Sequence, residues 1–137
     1  MKKGDIMKIG VVCTSFHKKQ IERMLVYAKD ESNIQDIEIS EIKWVPGAME
    51  IPLTLDRMLS SGNLNAAITL GIIENGETKH GLVMGQAVIK SIIDIQLKYS
   101  KPIGLGIIGP GALKEHISPR LEPHARAAVN AIVEMSK

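Results

Sequence analysis

Aromatic side chains are nearly missing from this sequence. One Phe, one Trp and two Tyr make up 3% of 137 residues. A core must therefore be built from Ile, Val, Leu, Met and Ala, and an aromatic outside an apolar run stands out. Cysteine occurs once, at Cys13, which excludes an internal disulfide framework and fits a reducing compartment. Its apolar surroundings make it a buried thiol rather than a nucleophile. Neither sign of charge dominates: 17 Lys and Arg face 15 Asp and Glu, a net +2, and the basic residues are scattered. Nucleic acid is not the expected partner. No apolar run approaches the roughly 20 residues that span a bilayer, and the opening MKKGDIMKIGVVC is too short in its apolar part for a signal peptide. The expectation is a cytoplasmic protein with a single domain over residues 1–137, large enough for one core.

What the sequence does contain is organised around AAITLGIIENGETKH, residues 66–80. The Ile-rich run from Ala66 to Ile73 is short and bounded by turn residues, as expected of a buried parallel strand. The polar turn from Glu74 to Lys79 then opens a long helix at His80. Gly76 and Thr78 in such a turn put free backbone N–H groups at a helix start, where a phosphate can bind. His80 stands beside that anion site, and imidazole is the side chain that gains or loses a proton most readily near neutral pH. An active site and an ordinary Thr78 cap with a solvated histidine are both compatible with the local sequence.

Along the rest of the chain, residues 7–13 read as a first strand, followed by the turn Thr14-Ser15-Phe16-His17. A helix is expected from about Lys18 to Glu31. Ile37 and Ile39 begin a second strand that alternates with polar residues toward Trp44 and Val45, the pattern of a sheet edge. Pro46-Gly47 breaks it, and a helix from about Ala48 to Ser60 can hold Pro52 only in its first turn. A third helix is expected from His80 to Tyr99. PIGLGII, 102–108, reads as the fourth strand with Gly109-Pro110-Gly111 as its exit turn. A short helical piece spans Leu113 to Ile117, and a last helix runs to Met135, with Pro119 and Pro123 competing to start it. Strands alternating with helices imply a parallel sheet with right-handed crossovers. The third helix is apolar on more sides than so small a domain can cover, which predicts an oligomer.

Ligands of an open parallel sheet bind outside the carboxyl ends of its strands. Phe16, the only phenylalanine, falls in such a turn, either as a plug under the sheet or as a stacking surface for a flat ring. Gly47 admits a ligand close to backbone or serves as a plain turn residue. His17, His116 and His124 lack metal-ligand spacing with His80 or with one another, so no metal is assigned.

Phe16 after the first strand, VPGAMEIPL at 45–53 and GETKH at 76–80 together resemble the 6,7-dimethyl-8-ribityllumazine synthases of riboflavin biosynthesis. The resemblance runs from about residue 8 to the C-terminus, and the short tail with GPG at 109–111 looks most like the archaeal branch. It implies an α/β, flavodoxin-like three-layer sandwich with a four-stranded parallel sheet flanked by helices. It also implies a transferase that condenses 5-amino-6-(D-ribitylamino)uracil with 3,4-dihydroxy-2-butanone 4-phosphate and needs no cofactor. On the matching positions, Phe16 stacks on the pyrimidine, while Gly47, Ala48, Met49 and Glu50 hold the ribityl chain. Glu77, Thr78 and Arg120 hold the phosphate, and His80 transfers protons. Leu105 takes the place of a site residue that is often aromatic. Subunits of the family form pentamers or multiples of them, with active sites at subunit interfaces and an N-terminal segment adding a strand to a neighbour's sheet. Several positions depart from the family pattern: Leu82 where bacterial members carry Asp, Met49 for Phe, His17 for Asn, and Ala125, beside Arg126, for Lys. Two rivals share the fold, an archaeal-type riboflavin synthase and a non-catalytic flavin-binding or shell protein.

Overall fold

A computed structural model describes residues 5–137. Four strands, β1 (Lys8–Thr14), β2 (Glu38–Val45), β3 (Ala66–Glu74) and β4 (Ile103–Ala112), form one parallel sheet in the order β2-β1-β3-β4. Of the N-terminal segment expected to reach a neighbour's sheet, residues 1–4 lie outside the described ones.

Side-chain alternation along the strands sends successive residues to opposite faces, and each face acquires its own core. Ile9, Val11 and Cys13 of β1 and Ile68, Leu70 and Ile72 of β3 pack under α1 (Lys18–Ile34) and α5 (Leu121–Met135). Val12, Ala67, Ile73, Ile103 and Ile107 pack under α2 (Ile51–Ser60) and α3 (His80–Tyr99). The sheet is thus the middle layer of three. Central β3 is buried on both faces up to Ile73, which explains its largely apolar run, while β2 at the edge is half exposed, as its alternation predicts. Cys13 is fully buried, and burial pushes its thiol up to about 12.

Glycine decides how closely α5 approaches β4. A Cβ on Gly104 would run into the carbonyl oxygen of Ala128, and one on Gly106 would lie 3.5 Å from the Ala128 methyl. Gly104 stands across from small residues of α5, so helix backbone and strand backbone nearly touch. Pro52 lies at the start of α2, behind a short 3₁₀ turn at Ala48–Glu50. Pro119 belongs to a second 3₁₀ turn, Ser118–Arg120, that follows α4 (Lys114–Ile117), and Pro123 lies in the first turn of α5. Each proline starts its own piece.

Several boundaries differ from expectation, among them the start of α2, at Ile51 rather than about Ala48. Helix α1 runs three residues past Glu31, because Ser32 is buried against the core and the chain leaves only at Asp36, whose φ is 57°. More consequentially, Gly109-Pro110-Gly111 is not an exit turn. β4 continues through it, and after an irregularity opposite Ile72–Glu74 the pairing resumes between Glu74 and Ala112. The Asn75 N–H donates to the Ala112 carbonyl at 2.7 Å. Gly109 and Gly111 do have positive φ values of 98° and 92°, which is why they read as a turn. Their use is different: a Cβ on Gly109 would collide with the Ile73 carbonyl oxygen, and one on Gly85 of α3 would meet Pro110 at 2.8 Å. The segment is wedged between β3 and α3, beside the start of α3.

Candidate active site

Three turns converge at the carboxyl ends of β1, β2 and β3. They enclose an open cavity of about 570 Å³ lined by Phe16, Pro46, Gly47, Ala48, Met49, Glu50, Ile72, Ile73, Glu74, Gly76, Thr78, His80, Gly81 and Met84. Of the candidate residues, Phe16, Gly47, Ala48, Met49, Glu50, Thr78 and His80 are brought together here. Glu77 is exposed on the same turn but does not line the cavity.

Phe16 is 51% exposed, so its ring is not a plug under the sheet but a wall of the cavity. Its turn is anchored by the Ser15 N–H, which donates to the Val45 carbonyl at 2.8 Å and joins the β1 and β2 exits. At the second turn the Gly47 N–H donates to Glu50 Oε1 at 3.0 Å. The φ of Gly47 is −161°, extended backbone that any residue adopts. A Cβ there would meet only Glu50 Oε1, at 3.8 Å, so what this glycine provides is an uncovered stretch of backbone. A Cβ on Gly76 would meet nothing within 4 Å; that turn also shows bare backbone to the cavity.

At the start of α3, the His80 N–H donates to Thr78 Oγ1 at 3.3 Å, and no side chain caps the helix at Lys79. The Val83 N–H closes the first turn on the Lys79 carbonyl. Backbone N–H groups at a helix start lack intrahelical partners, which makes this turn suited to an anion. The His80 imidazole is exposed and hydrogen-bonds to no described residue. Leu82, two residues on, is 44% exposed and offers no carboxylate to orient it.

Two candidates lie elsewhere. Leu105 sits within β4 at the free edge of the sheet, opposite Thr69 and 41% exposed. Arg120 is exposed at the start of α5, where its side chain donates to the His116 carbonyl at 3.0 Å. It lines a separate cavity with Ile108 to Ala112, His116 and His124. A guanidinium at the positive end of a helix opposes the helix dipole, and an anion would relieve both. Arg126 is not free to stand in for the family's lysine. It pairs with Glu122 at 2.8 Å, Asp30 at 2.9 Å and Glu31 at 3.1 Å, tying α5 to α1, while Ala125 is fully buried.

Missed by the sequence reading are Pro46, Ile72, Ile73, Gly81 and Met84 as cavity walls, and above all Glu74. Its Oε1 lies 2.7 Å from Nε2 of His17. The signal that could have found it is an acidic residue closing an otherwise apolar strand. Among the described residues, no group of three or more His, Cys, Asp or Glu side chains could hold a metal ion.

A family model described as 6,7-dimethyl-8-ribityllumazine synthase matches residues 6–137. Similar proteins include the 6,7-dimethyl-8-ribityllumazine synthase of Metallosphaera sedula, 35% identical over 131 residues, which cover 96% of this chain and 87% of that one. That of Methanoculleus marisnigri is 32% identical over 129 residues, 94% and 95% of the two chains. That of Archaeoglobus fulgidus is 33% identical over 131 residues, 96% and 91%.

Proposed function

This chain belongs to the 6,7-dimethyl-8-ribityllumazine synthase family, and we propose that the strand-end cavity carries out the condensation its resemblance implies. 5-Amino-6-(D-ribitylamino)uracil and 3,4-dihydroxy-2-butanone 4-phosphate are joined there, with release of phosphate and water. The observation that carries this reading is the meeting of Phe16, the Gly47–Glu50 turn and His80 on one cavity. A half-exposed ring in an otherwise aromatic-poor chain offers a face for the pyrimidine. The bare backbone at Gly47 and the Glu50 carboxylate suit a hydroxylated chain such as ribityl. Gly76, Glu77 and Thr78, at an uncapped helix start, suit a phosphate. Schiff-base formation, phosphate elimination and ring closure all move protons, which His80 is placed to do.

Leu105 and Arg120 belong in this reading to the site of an adjacent copy of the chain. They lie on the β4 side, outside the cavity formed by their own subunit, and Arg120 needs an anion. A ring of five, or a multiple of it, would bring the β4 side of one subunit against the cavity of the next and bury the apolar outer face of α3. Leu82, Val83, Ile93 and Leu97 are 44%, 62%, 48% and 71% exposed on that helix. No helix among the described residues is long and apolar enough to cross a membrane, and we place the activity in the cytoplasm, on small diffusible substrates and without nucleic acid.

Product analysis with the two substrates tests the activity: formation of the lumazine is expected, and its absence with folded protein would overturn the reading. Mixing inactive His80→Ala and Arg120→Ala chains tests the shared site. Reassembled mixed rings should regain part of the activity, because some boundaries then combine two intact halves. No recovery would place both residues in one subunit's site.

A further inference from the structure

Glu74 is the polar group of the cavity that the family roles leave unused. β3 is buried from Ala66 to Ile73 and apolar there but for Thr69, and the strand then ends in a carboxylate on the cavity wall. The carboxylate is partly covered there, with 36% of the side chain exposed. Its partner comes from another turn, since Oε1 lies 2.7 Å from Nε2 of His17. That nitrogen is shielded from solvent and makes no hydrogen bond of good angle, so the two groups are joined by close approach alone. His17 holds this place in a left-handed backbone conformation, φ 57° and ψ 45°, which residues other than glycine seldom adopt. Its ring also meets that of Phe16 edge to face, with centroids 4.3 Å apart. Carboxylate, imidazole and phenyl ring thus form one contiguous unit at the β1 and β3 exits.

Resting on the lumazine synthase reading, we propose that Glu74 is a substrate-contacting residue that accepts hydrogen bonds from N–H donors of the pyrimidine base, with His17 as the positioning residue that holds it. Glu74 Oε2 bonds to no described residue, and a carboxylate can only accept. The aminouracil carries amino and ring N–H donors; the butanone phosphate carries negative charge, which Glu74 repels. The other cavity carboxylate, Glu50, already accepts the Gly47 N–H. Glu74 therefore sorts the two substrates, drawing the base toward Phe16 and leaving the phosphate to the start of α3.

The test measures binding and turnover separately. Wild type, Glu74→Gln, His17→Asn and the double variant are titrated calorimetrically with the ribitylaminouracil and with 5,6-diaminouracil, which lacks the ribityl hydroxyls. Glu74→Gln should weaken both ligands about ten- to hundredfold, the worth of a hydrogen bond to a charged group. KM for the butanone phosphate should stay unchanged. His17→Asn should lose less, and the double variant no more than Glu74→Gln, because His17 acts through Glu74. Unchanged affinity in a folded Glu74→Gln protein, whatever its thermal midpoint, would overturn the proposal, as would a loss confined to the ribityl-bearing ligand. Should that variant not fold, the His17 ring nitrogen resonances of the wild type decide: diaminouracil must shift them, and unmoved resonances overturn the proposal. Absence of lumazine from wild-type protein that still binds the base would count against the reaction and not against this contact.

Discussion

Helices α3 and α5 cover the two faces of β4 from opposite sides, and they treat their apolar residues differently. α5 turns Leu121, Ala125, Ala128, Val129 and Ile132 inward, and its Arg126 bonds to Glu122 on the same helix and to Asp30 and Glu31 across the seam with α1. α3 buries Gly85, Val88, Ile92 and Ile95 but leaves Leu82, Val83, Ile93 and Leu97 in the open. A helix like α5 is finished by its own chain. α3 has apolar surface to spare and, at its first position, the cavity-lining His80, so the proposed assembly and the proposed chemistry both fall on it.

The largest expected effect strikes the start of α3. His80→Ala should lower turnover about 10²–10⁴-fold with pyrimidine affinity nearly intact; equal losses of binding and turnover would make His80 a structural residue. Next comes the outer face of the same helix. Ile93→Asp should break the oligomer into smaller species on native mass spectrometry and abolish activity with it, whereas Ala127→Asp on exposed α5 should leave assembly intact. An active, well-folded Ile93→Asp monomer would erase the contrast between the two helices.

Predictions for the α5 side concern stability alone. Gly104→Ala forces a methyl group against the Ala128 carbonyl and should cost about 1–3 kcal/mol in denaturant unfolding, as overpacking does. Arg126→Met should lower the thermal midpoint, since Glu31, only 11% exposed, loses its cationic partner and keeps only the Gln35 amide, while pyrimidine affinity stays unchanged. The smallest effect lies at the far end of α3. There the Tyr99 hydroxyl at 2.7 Å and the Lys98 ammonium at 3.0 Å hold the Asp56 carboxyl below its ordinary value. A depressed carboxyl stabilises the fold above the ordinary carboxylate range, about pH 4, and that contribution is lost as pH falls through the lower folded value. The stability difference between wild type and Asp56→Asn should therefore be present at neutral pH and vanish in acid; a pH-independent difference would show that charge plays no part.

Periodicity and punctuation made most of this architecture legible before any coordinates. The Ile-rich run at Ala66–Ile73 favoured a buried strand over a helix, the alternation after Ile37 an edge, and His80–Tyr99 a helix with more apolar residues than one face can hold. These are local properties, carried by side-chain spacing alone. The turn after the first strand and the motifs at 45–53 and 76–80 likewise put Phe16, Gly47 and His80 at one edge of the sheet, because every strand of a parallel sheet ends on the same side. What the chain of letters could not decide were distances between segments remote in sequence. Gly109-Pro110-Gly111 carries turn residues, yet it pairs with β3 and lodges against Gly85, because the needed space is created by other elements. Glu74 and His17 look like ordinary turn residues and become a pair only when two crossovers bring β1 and β3 side by side. Arg120 and Leu105 match the family's site in sequence, yet one chain alone leaves them apart from the cavity. Local pattern determines what each segment becomes; which side chains touch is set by how the segments pack.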